Sequence, residues 1–300
     1  MKSSNILTRE NESSSIEKLA AQRELYSRAK VLFYVQTFIT VISLVLLSFS
    51  QLVFPKLDFT LAIATVSLLA IIADYLFEKH IADIKETAAK IQELFDTYVL
   101  NINWNGILCL AKPEYNEIFQ NYSKHKSKRR DFSQFTNWYE PDIIRVTEQT
   151  GKLICQKTNC NYDSNIRKKY NGVIVFIGAS TILLIFIFTV FSDITLSKLL
   201  LTVIFPSVPI IQWTHKNVLN NNDSIKNLEQ LNNLLNSTWN DLKNGIQTKD
   251  EVIRQIQDGI YLNRKGSPLI PDFIYDKLRN KLELETYYSV AQLVNEINLT

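Results

Sequence analysis

The side chains that could do catalytic or metal chemistry are few and scattered in this sequence. The histidines His80, His125 and His215 stand far apart, and the three cysteines show no spacing typical of a metal site. Several carboxylates could form an acid–base pair, but the sequence alone does not place two of them together. The seven glycines occur singly, so there is no glycine-rich phosphate loop. The sequence therefore predicts no catalytic residue, no metal, no cofactor and no enzymatic activity.

A basic run followed by aromatic residues, KHKSKRRDFSQFTNWYEPD at 124–142, is the strongest candidate for binding an anion. Its basic members are Lys124, Lys126, Lys128, Arg129 and Arg130. One interpretation is a phosphate-binding surface for a nucleotide or for anionic lipid headgroups. The other is a solvated cytoplasmic loop that helps to fix membrane topology. The net charge of +3 is too small to indicate nucleic acid, and we expect no DNA partner.

These polar groups are positioned by four apolar blocks, at residues 31–54, 59–77, 172–191 and 199–213. The first and third carry no charge and reach the roughly 20 residues that a membrane-spanning helix needs. The second contains one acidic residue, Asp74, near its end. The fourth is shorter and is interrupted by two prolines, so a re-entrant or interfacial piece is its alternative. The blocks predict four transmembrane helices.

Short joints connect the blocks in pairs, which predicts two helical hairpins at 31–77 and 172–213. Each joint holds a single basic residue, Lys56 in the first and Lys198 in the second, and all other lysines and arginines lie elsewhere. This is the positive-inside pattern. It predicts a multi-pass membrane protein whose polar regions, at 1–30, 78–171 and 214–300, are all cytoplasmic.

The polar regions themselves are predicted to be helical, so the fold class is an all-α membrane protein with a helical cytoplasmic body. Ser14 and Glu17 have the spacing of a capping box at the start of a helix that runs into the first span. Below the second span, apolar residues recur at helical spacing and predict one buried stripe. That stripe comprises Ile81, Ile84, Ala88, Ile91, Leu94, Phe95 and Tyr98.

Polar groups and prolines inside the apolar blocks are candidates for the lining or gate of a pore. They are Gln36, Asp74, Pro206, Ser207, Pro209 and Gln212. Helix breaks and ionisable groups within a bilayer survive where they face protein or water. The alternative is a kinked helix whose break is filled by packing, with Asp74 already at the cytoplasmic interface. Since four spans with so few polar groups could hardly enclose a channel in one subunit, a pore requires a homo-oligomer in the lipid bilayer.

Five segments, at 20–26, 93–105, 137–142, 153–170 and 253–279, together with the order of the two hairpins, resemble the SMODS-associated four-transmembrane effector family. The resemblance covers essentially the whole chain. It implies a pore-forming effector in the bacterial inner membrane that belongs to an antiphage (CBASS-like) system. The effector would be signalled by a cyclic oligonucleotide that a partner nucleotidyltransferase makes. It implies no catalytic residue. The alternative is a membrane-anchored sensor or scaffold, and a transporter is disfavoured because only one hairpin is broken.

The residues that match the family lie in the polar regions, and the resemblance does not say whether they are structural or sensing positions. They are Gln22, Arg23, Asp96, Trp104, Trp138, Tyr139, Gln156, Asn159, Asp163, Arg167, Arg254, Gln257, Asp258, Arg264, Pro271, Asp272 and Arg279.

Overall fold

A computed structural model describes residues 3–54, 56–128, 132–190, 200 and 205–299, with backbone alone at 52, 60, 188, 189, 205 and 206. Every regular element in these ranges is helical. The α-helices are α1 Ser4–Glu10, α2 Ser13–Thr37, α3 Ser43–Val53, α4 Thr60–Val99, α5 Tyr115–Lys128, α6 Glu148–Val190, α7 Phe205–Lys243, α8 Asp250–Gly266 and α9 Asp272–Leu299. A π-helical turn, Phe38–Ile42, joins α2 to α3, and short 3-10 turns occupy Ser133–Phe135 and Pro141–Arg145.

Three helical stretches are long and apolar enough to cross a membrane: Ser13–Gln51, Leu61–Val99 and Glu148–Ile187. They contain most of each of the first three apolar blocks, so these predicted spans are confirmed as apolar helices of sufficient length. Large side chains on their outer faces are exposed, Leu61 to 80% and Phe176 to 73%. Such surfaces are costly in water and are suited to lipid.

The fourth block lies largely outside the described residues, because only Leu200 and residues from Phe205 onward are described. From Phe205 the helix α7 continues through Pro209 to Lys243. The expected helix break at Pro209 is therefore wrong: this proline lacks an amide N–H for one hydrogen bond, but the neighbouring turns hold the helix together. Whether the fourth block spans the membrane stays a prediction.

The π-helical turn inside the first span was not predicted. Two hydroxyls bond back to carbonyls there: Thr40 Oγ1 donates to Gln36 O at 2.9 Å, and Ser43 Oγ donates to Ile39 O at 2.6 Å. Such back-bonding competes with the regular ladder and bends helices. The turn begins two residues after Gln36, and π-helical turns are often found at functional sites.

The three polar regions pack together as one body at one end of the spans. A single apolar core contains side chains from all three, including Ile6 and Leu19 from the first, Phe95 and Leu153 from the second, and Ile253 from the third. Because the helices α4 and α6 run unbroken from this core into the spans, the divisions at 77/78 and 171/172 mark a change of solvent within one helix. That this side is cytoplasmic stays a prediction.

The predicted stripe on α4 is buried for five of its members, and Leu94 is partly buried: Ile81, Ile84, Ala88, Ile91 and Phe95 have at most 7% of their surface exposed. Tyr98 was wrongly included, since it is 41% exposed and its hydroxyl donates to Glu12 Oε2. After Phe95 the buried side chains are Val99 and Leu100 instead of Tyr98.

The capping box at Ser14 and Glu17 is also wrong. The helix α2 begins at Ser13 with Glu12 as its N-cap, and no side chain caps it. Ser14 lies inside the first turn, where its carbonyl accepts a hydrogen bond from Lys18 Nζ at 3.0 Å. The spacing was right, but the helix starts two residues earlier than a cap at Ser14 requires.

Candidate functional site

A group of buried polar side chains joins α4 to α8 in the middle of the body. Asp96 is fully buried, and its Oδ2 accepts hydrogen bonds from the Arg264 guanidinium and, at 3.0 Å, from Gln257 Nε2. Gln257 Nε2 also donates to Glu93 Oε2 at 2.8 Å. A buried carboxylate costs several kcal/mol unless it is paired, so these donors compensate the burial of both acids. We name Glu93, Asp96, Gln257 and Arg264 the buried network.

The helix α6 and the segment before it connect to the same network. Tyr139 OH donates to Asp96 Oδ1 at 3.2 Å, and Asn159 Nδ2 donates to the Tyr139 oxygen at 3.2 Å. Gln156, fully buried, donates to Gln257 Oε1 at 3.2 Å and to the Ile253 carbonyl at 2.9 Å. Three parts of the chain that are far apart in sequence are thus coupled through Asp96.

Arg254 extends the network to the loop after α4. Its Nη2 lies 2.7 Å from Glu93 Oε1 and 2.8 Å from Asp258 Oδ1, and its Nη1 donates to the Asn103 carbonyl at 2.7 Å. Asn105 Nδ2 donates to the other Asp258 oxygen at 3.0 Å. Burial, followed by the repulsion of Asp96, raises the pKa of Glu93 to about 7 in spite of Arg254.

A second cluster joins α6, α7 and α8 nearer the membrane. Arg167 Nη1 donates to Asn221 Oδ1 at 3.0 Å and to the Pro268 carbonyl at 3.2 Å. Its Nε lies 3.0 Å from Asp163 Oδ1, and Asp163 Oδ2 accepts a hydrogen bond from Asn263 Nδ2 at 3.0 Å. This cluster lies at the membrane end of the body, next to the second hairpin.

Asp272, the first residue of α9, ties that helix to α2. Its Oδ1 lies 2.6 Å from Lys30 Nζ and 3.2 Å from Arg23 Nη2. Lys30 is 5% exposed, and burial lowers its pKa while the bond to Asp272 opposes that shift. The contact holds the start of α9 beside the start of the first span.

The remaining family-matched residues are less engaged. Trp138 is 36% exposed and packs edge-on against Phe95, and Arg279 forms an exposed pair with Glu283 one turn along α9 at 2.7 Å. Trp104 Nε1 donates to the Leu110 carbonyl at 3.0 Å. Gln22 and Pro271 are buried. The contacts of the buried members are those of a structural core, and a sensing role for any of them stays a prediction.

At the membrane end of the body, three helices share a polar layer. Gln36 Nε2 on α2 donates to Asp74 Oδ1 on α4 at 2.6 Å. Lys216 Nζ on α7 lies 3.7 Å from Asp74 Oδ2 and 2.9 Å from Glu78 Oε2. We name Gln36, Asp74, Glu78 and Lys216 the boundary layer. The structure thus brings together Gln36 and Asp74, two of the predicted pore candidates. It adds Glu78 and Lys216, which could have been found in the sequence as charged residues within three positions of the end of an apolar block.

The other pore candidates lie further along α7. Ser207 is buried, Pro209 is partly buried and Gln212 is exposed. Pro206 lies in the first described turn of α7, and its side chain is outside the described residues. Gln212 precedes Lys216 by one turn and shares its face of the helix. A pore-lining role for these residues stays a prediction.

The basic run is helical at its start, where a loop was expected. Lys124, Lys126 and Lys128 lie in the last turns of α5, and Arg129 and Arg130 lie outside the described residues. Lys128 Nζ contacts the buried Glu24 carboxylate at 2.5 Å, and Lys126 Nζ lies 5.8 Å from the centre of the Tyr122 ring. Phosphate binding here stays a prediction.

The histidines do not converge. His80 and His215 are exposed, and His125 is buried against the rings of Phe132 and Phe135. Within the described ranges, no three histidine, cysteine or acidic side chains form a group that could hold a metal ion.

Comparison with known proteins now bears on this arrangement of a helical body on apolar helices. The sequence profile of the SMODS-associating 4TM effector domain matches residues 4–293. The chain belongs to this family. A protein of Bacillus cereus (strain VD146), named a probable CBASS effector molecule, is 24% identical over 276 residues, covering 90% of this chain and 92% of the relative. No solved structure gives a significant match.

The resemblance inferred from the sequence is therefore confirmed. For this SMODS-associating 4TM effector, the family and the B. cereus relative support a membrane-associated role in CBASS antiviral defence. The buried network and the second cluster consist largely of residues that carried that resemblance. The boundary layer consists of residues that did not.

One prediction concerns Glu10, at the end of α1. Its Oε2 accepts a hydrogen bond from the Tyr139 amide at 2.9 Å, and burial raises its pKa from 4.5 to about 8. Because the folded effector binds this proton more tightly than the unfolded chain, the free energy of unfolding falls as the pH rises from about 4.5 to about 8. Glu10→Gln keeps an oxygen for the Tyr139 amide and removes the titration.

We therefore expect the melting temperature in detergent to fall less in Glu10→Gln than in the unchanged effector between about pH 7 and about pH 8. Glu93 titrates mainly below this window, and it is present in both proteins. An equal fall in both would show that Glu10 does not titrate there.

Proposed function

We propose that this chain is the membrane-acting effector of a CBASS-type antiphage system. In this proposal a partner nucleotidyltransferase makes a cyclic oligonucleotide during infection, and the effector then oligomerises in the bacterial inner membrane and opens a pore. Its action is physical and not catalytic. Membership of the SMODS-associating 4TM effector family is the observation that carries the proposal.

The continuity of two helices supports a route from signal to membrane. The helices α4 and α6 run without interruption from the body into the apolar spans, as Thr60–Val99 and Glu148–Val190. The buried network includes two residues of α4 and contacts α6, on the side of the membrane where the body lies. A rearrangement of the body would therefore tilt or rotate the spans as rods, since a continuous helix has no joint to absorb the motion.

The boundary layer is a candidate for the contact that holds the effector in its closed state. Lys216, three residues after the second hairpin, contacts Asp74 near the end of the first hairpin and Glu78 directly after it. Ionisable groups within membrane-spanning segments, such as Asp74 in the second apolar block, often belong to ion pathways. We propose that this contact holds the two hairpins together in the resting effector and that several subunits bring their Asp74 carboxylates around a shared aqueous path.

The test is membrane potential in bacteria loaded with a voltage-sensitive dye. The effector is expressed alone, with an active nucleotidyltransferase partner, and with a catalytically dead partner. We expect depolarisation only with the active partner. Protein that reaches the membrane fraction and yet leaves the potential unchanged under every condition would contradict the pore and favour a sensor or scaffold.

The boundary layer is tested in the same assay with Lys216→Glu. This change places a third acid beside Asp74 and Glu78, so we expect the hairpins to separate and the cells to depolarise without a partner. The matched control is Lys168→Glu, an exposed lysine on α6 that pairs with Glu229. Identical behaviour of the two variants would remove the boundary layer from the mechanism.

A further inference from the structure

The helix α5 lies antiparallel to α2, and this register places its first turn at the membrane. Lys128 at its end contacts Glu24, and Asn121 contacts Arg28 at 3.5 Å. Going backward along α5 therefore means going forward along α2, toward the span that begins at residue 31. At about 1.5 Å per residue, the six residues from Asn121 to Tyr115 rise about 9 Å. Tyr115 is then level with Tyr34, inside the first apolar block.

The first turn of α5 presents two aromatic rings outward at that level. Tyr115 is 89% exposed and Phe119, one turn later on the same face, is 62% exposed. On the other side of the helix Ile118 is buried among residues of α2 and α4. The rings are thus not needed for packing within the chain.

The start of α9 reaches the same level by a separate route. Asp272 is held to Lys30, one residue before the first span, at 2.6 Å. The next residue, Phe273, is 58% exposed. Two tyrosines of the spans are also exposed, Tyr34 to 44% and Tyr75 to 70%.

We propose that Tyr115, Phe119 and Phe273 insert into the headgroup interface of the same bilayer that the spans cross, and thereby seat the body on the membrane. Aromatic residues concentrate at this depth because one part of the ring is apolar and the interface is wet. The occupant is lipid because the surface continues the exposed apolar face of the spans. The inference needs only that α2 crosses the membrane and does not depend on pore formation.

The charges near these rings distinguish ring insertion from electrostatic binding to anionic headgroups. Near Tyr115 in the sequence, Glu114 and Glu117 outnumber Lys112, and near Phe273 two acids, Asp272 and Asp276, outnumber Lys277. The basic residues Lys124, Lys126 and Lys128 lie at the opposite end of α5. The seat is therefore made by ring insertion and not by attraction to anionic headgroups. We expect it to form equally in neutral and in anionic membranes, in contrast to the headgroup binding considered for the basic run.

The experiment uses four variants of the full chain, each with one added cysteine. They are Tyr115→Cys, Phe119→Cys, Phe273→Cys and, as the control at the far end of α5, Lys124→Cys. The three natural cysteines are buried. Each variant is labelled with a polarity-sensitive dye and reconstituted into phosphatidylcholine vesicles, with and without phosphatidylglycerol. A fraction of the lipid carries a quencher near the headgroup.

We expect several-fold stronger lipid quenching at positions 115, 119 and 273 than at position 124, with the same result in both lipid mixtures. Equal, weak quenching at all four positions would overturn the proposal. Blue-shifted emission without quenching would also overturn it, because protein such as a second copy of the chain would then cover the rings. Quenching that requires phosphatidylglycerol would overturn the ring-insertion mechanism.

Discussion

Replacing Asp96 by alanine is expected to destabilise the folded protein by about 3–5 kcal/mol. The change removes the acceptor of the Arg264 guanidinium, of Gln257 Nε2 and of Tyr139 OH at one stroke. Arg264 has only 13% of its side chain exposed, so water cannot replace the lost carboxylate. Breaking a buried pair by removing one partner is far more costly than the pair is worth intact. The measurement is chemical unfolding in mild detergent, followed by tryptophan fluorescence.

The control is Arg279→Ala, at another family-matched position. Its pair with Glu283 is about half exposed, and exposed pairs one helical turn apart are worth about 0.3–0.5 kcal/mol. If the two variants lose similar stability, the buried network does not stabilise the body. If Asp96→Ala is stable but inert in the dye assay, the residue has a sensing role that packing does not explain.

Replacing Gly178 by alanine is expected to destabilise the second hairpin by about 1–3 kcal/mol, the usual cost of overpacking. A carbon attached there would lie 2.4 Å from Thr214 Oγ1 and 3.3 Å from Thr214 Cβ. The threonine is short and branched, so α6 and α7 must move apart to admit the methyl group. Close approach at small residues is what holds membrane helices together. The effect is measured as the concentration of a denaturing detergent that unfolds half of the protein.

The matched control is Gly172→Ala, on the same helix, where an added carbon meets nothing within 4 Å. There the substitution is expected to stabilise by about 0.5–1 kcal/mol, because glycine is a poor helix former. The double variant Gly178→Ala with Thr214→Ala should recover most of the loss. Equal effects at the two glycines, or no recovery, would show that α6 and α7 do not meet at this point.

The location of the spans and of the polar body could be predicted from the sequence because hydropathy and helical periodicity are local properties. Residues 31–54, 59–77 and 172–191 are apolar whatever they pack against. Exposing such long apolar helices to water is unfavourable, which favours a place in the bilayer. The stripe from Ile81 to Phe95 likewise follows from spacing alone. The segments that identify the family are also contiguous, so membership could be inferred without coordinates.

Errors arose where a local pattern had more than one structural solution. The capping-box spacing at Ser14 fits a helix start, but Ser13 already begins α2. Residues 115–128 are polar with a weak apolar pattern, and they become the helix α5 because Ile118 is buried against α2 and α4. Pro209 interrupts hydrogen bonding in any sequence, yet the helix α7 continues past it.

The tertiary structure alone decided which polar groups meet. Asp96 and Arg264 are 168 residues apart, and Gln36 and Asp74 are 38 apart. Their contact depends on the rotation and register of helices against one another, which small differences in packing decide and which no local window of sequence contains. Hydropathy thus determined which solvent each segment occupies, whereas helix packing determined the buried network, the boundary layer and the level of the exposed aromatic residues on α5 and α9.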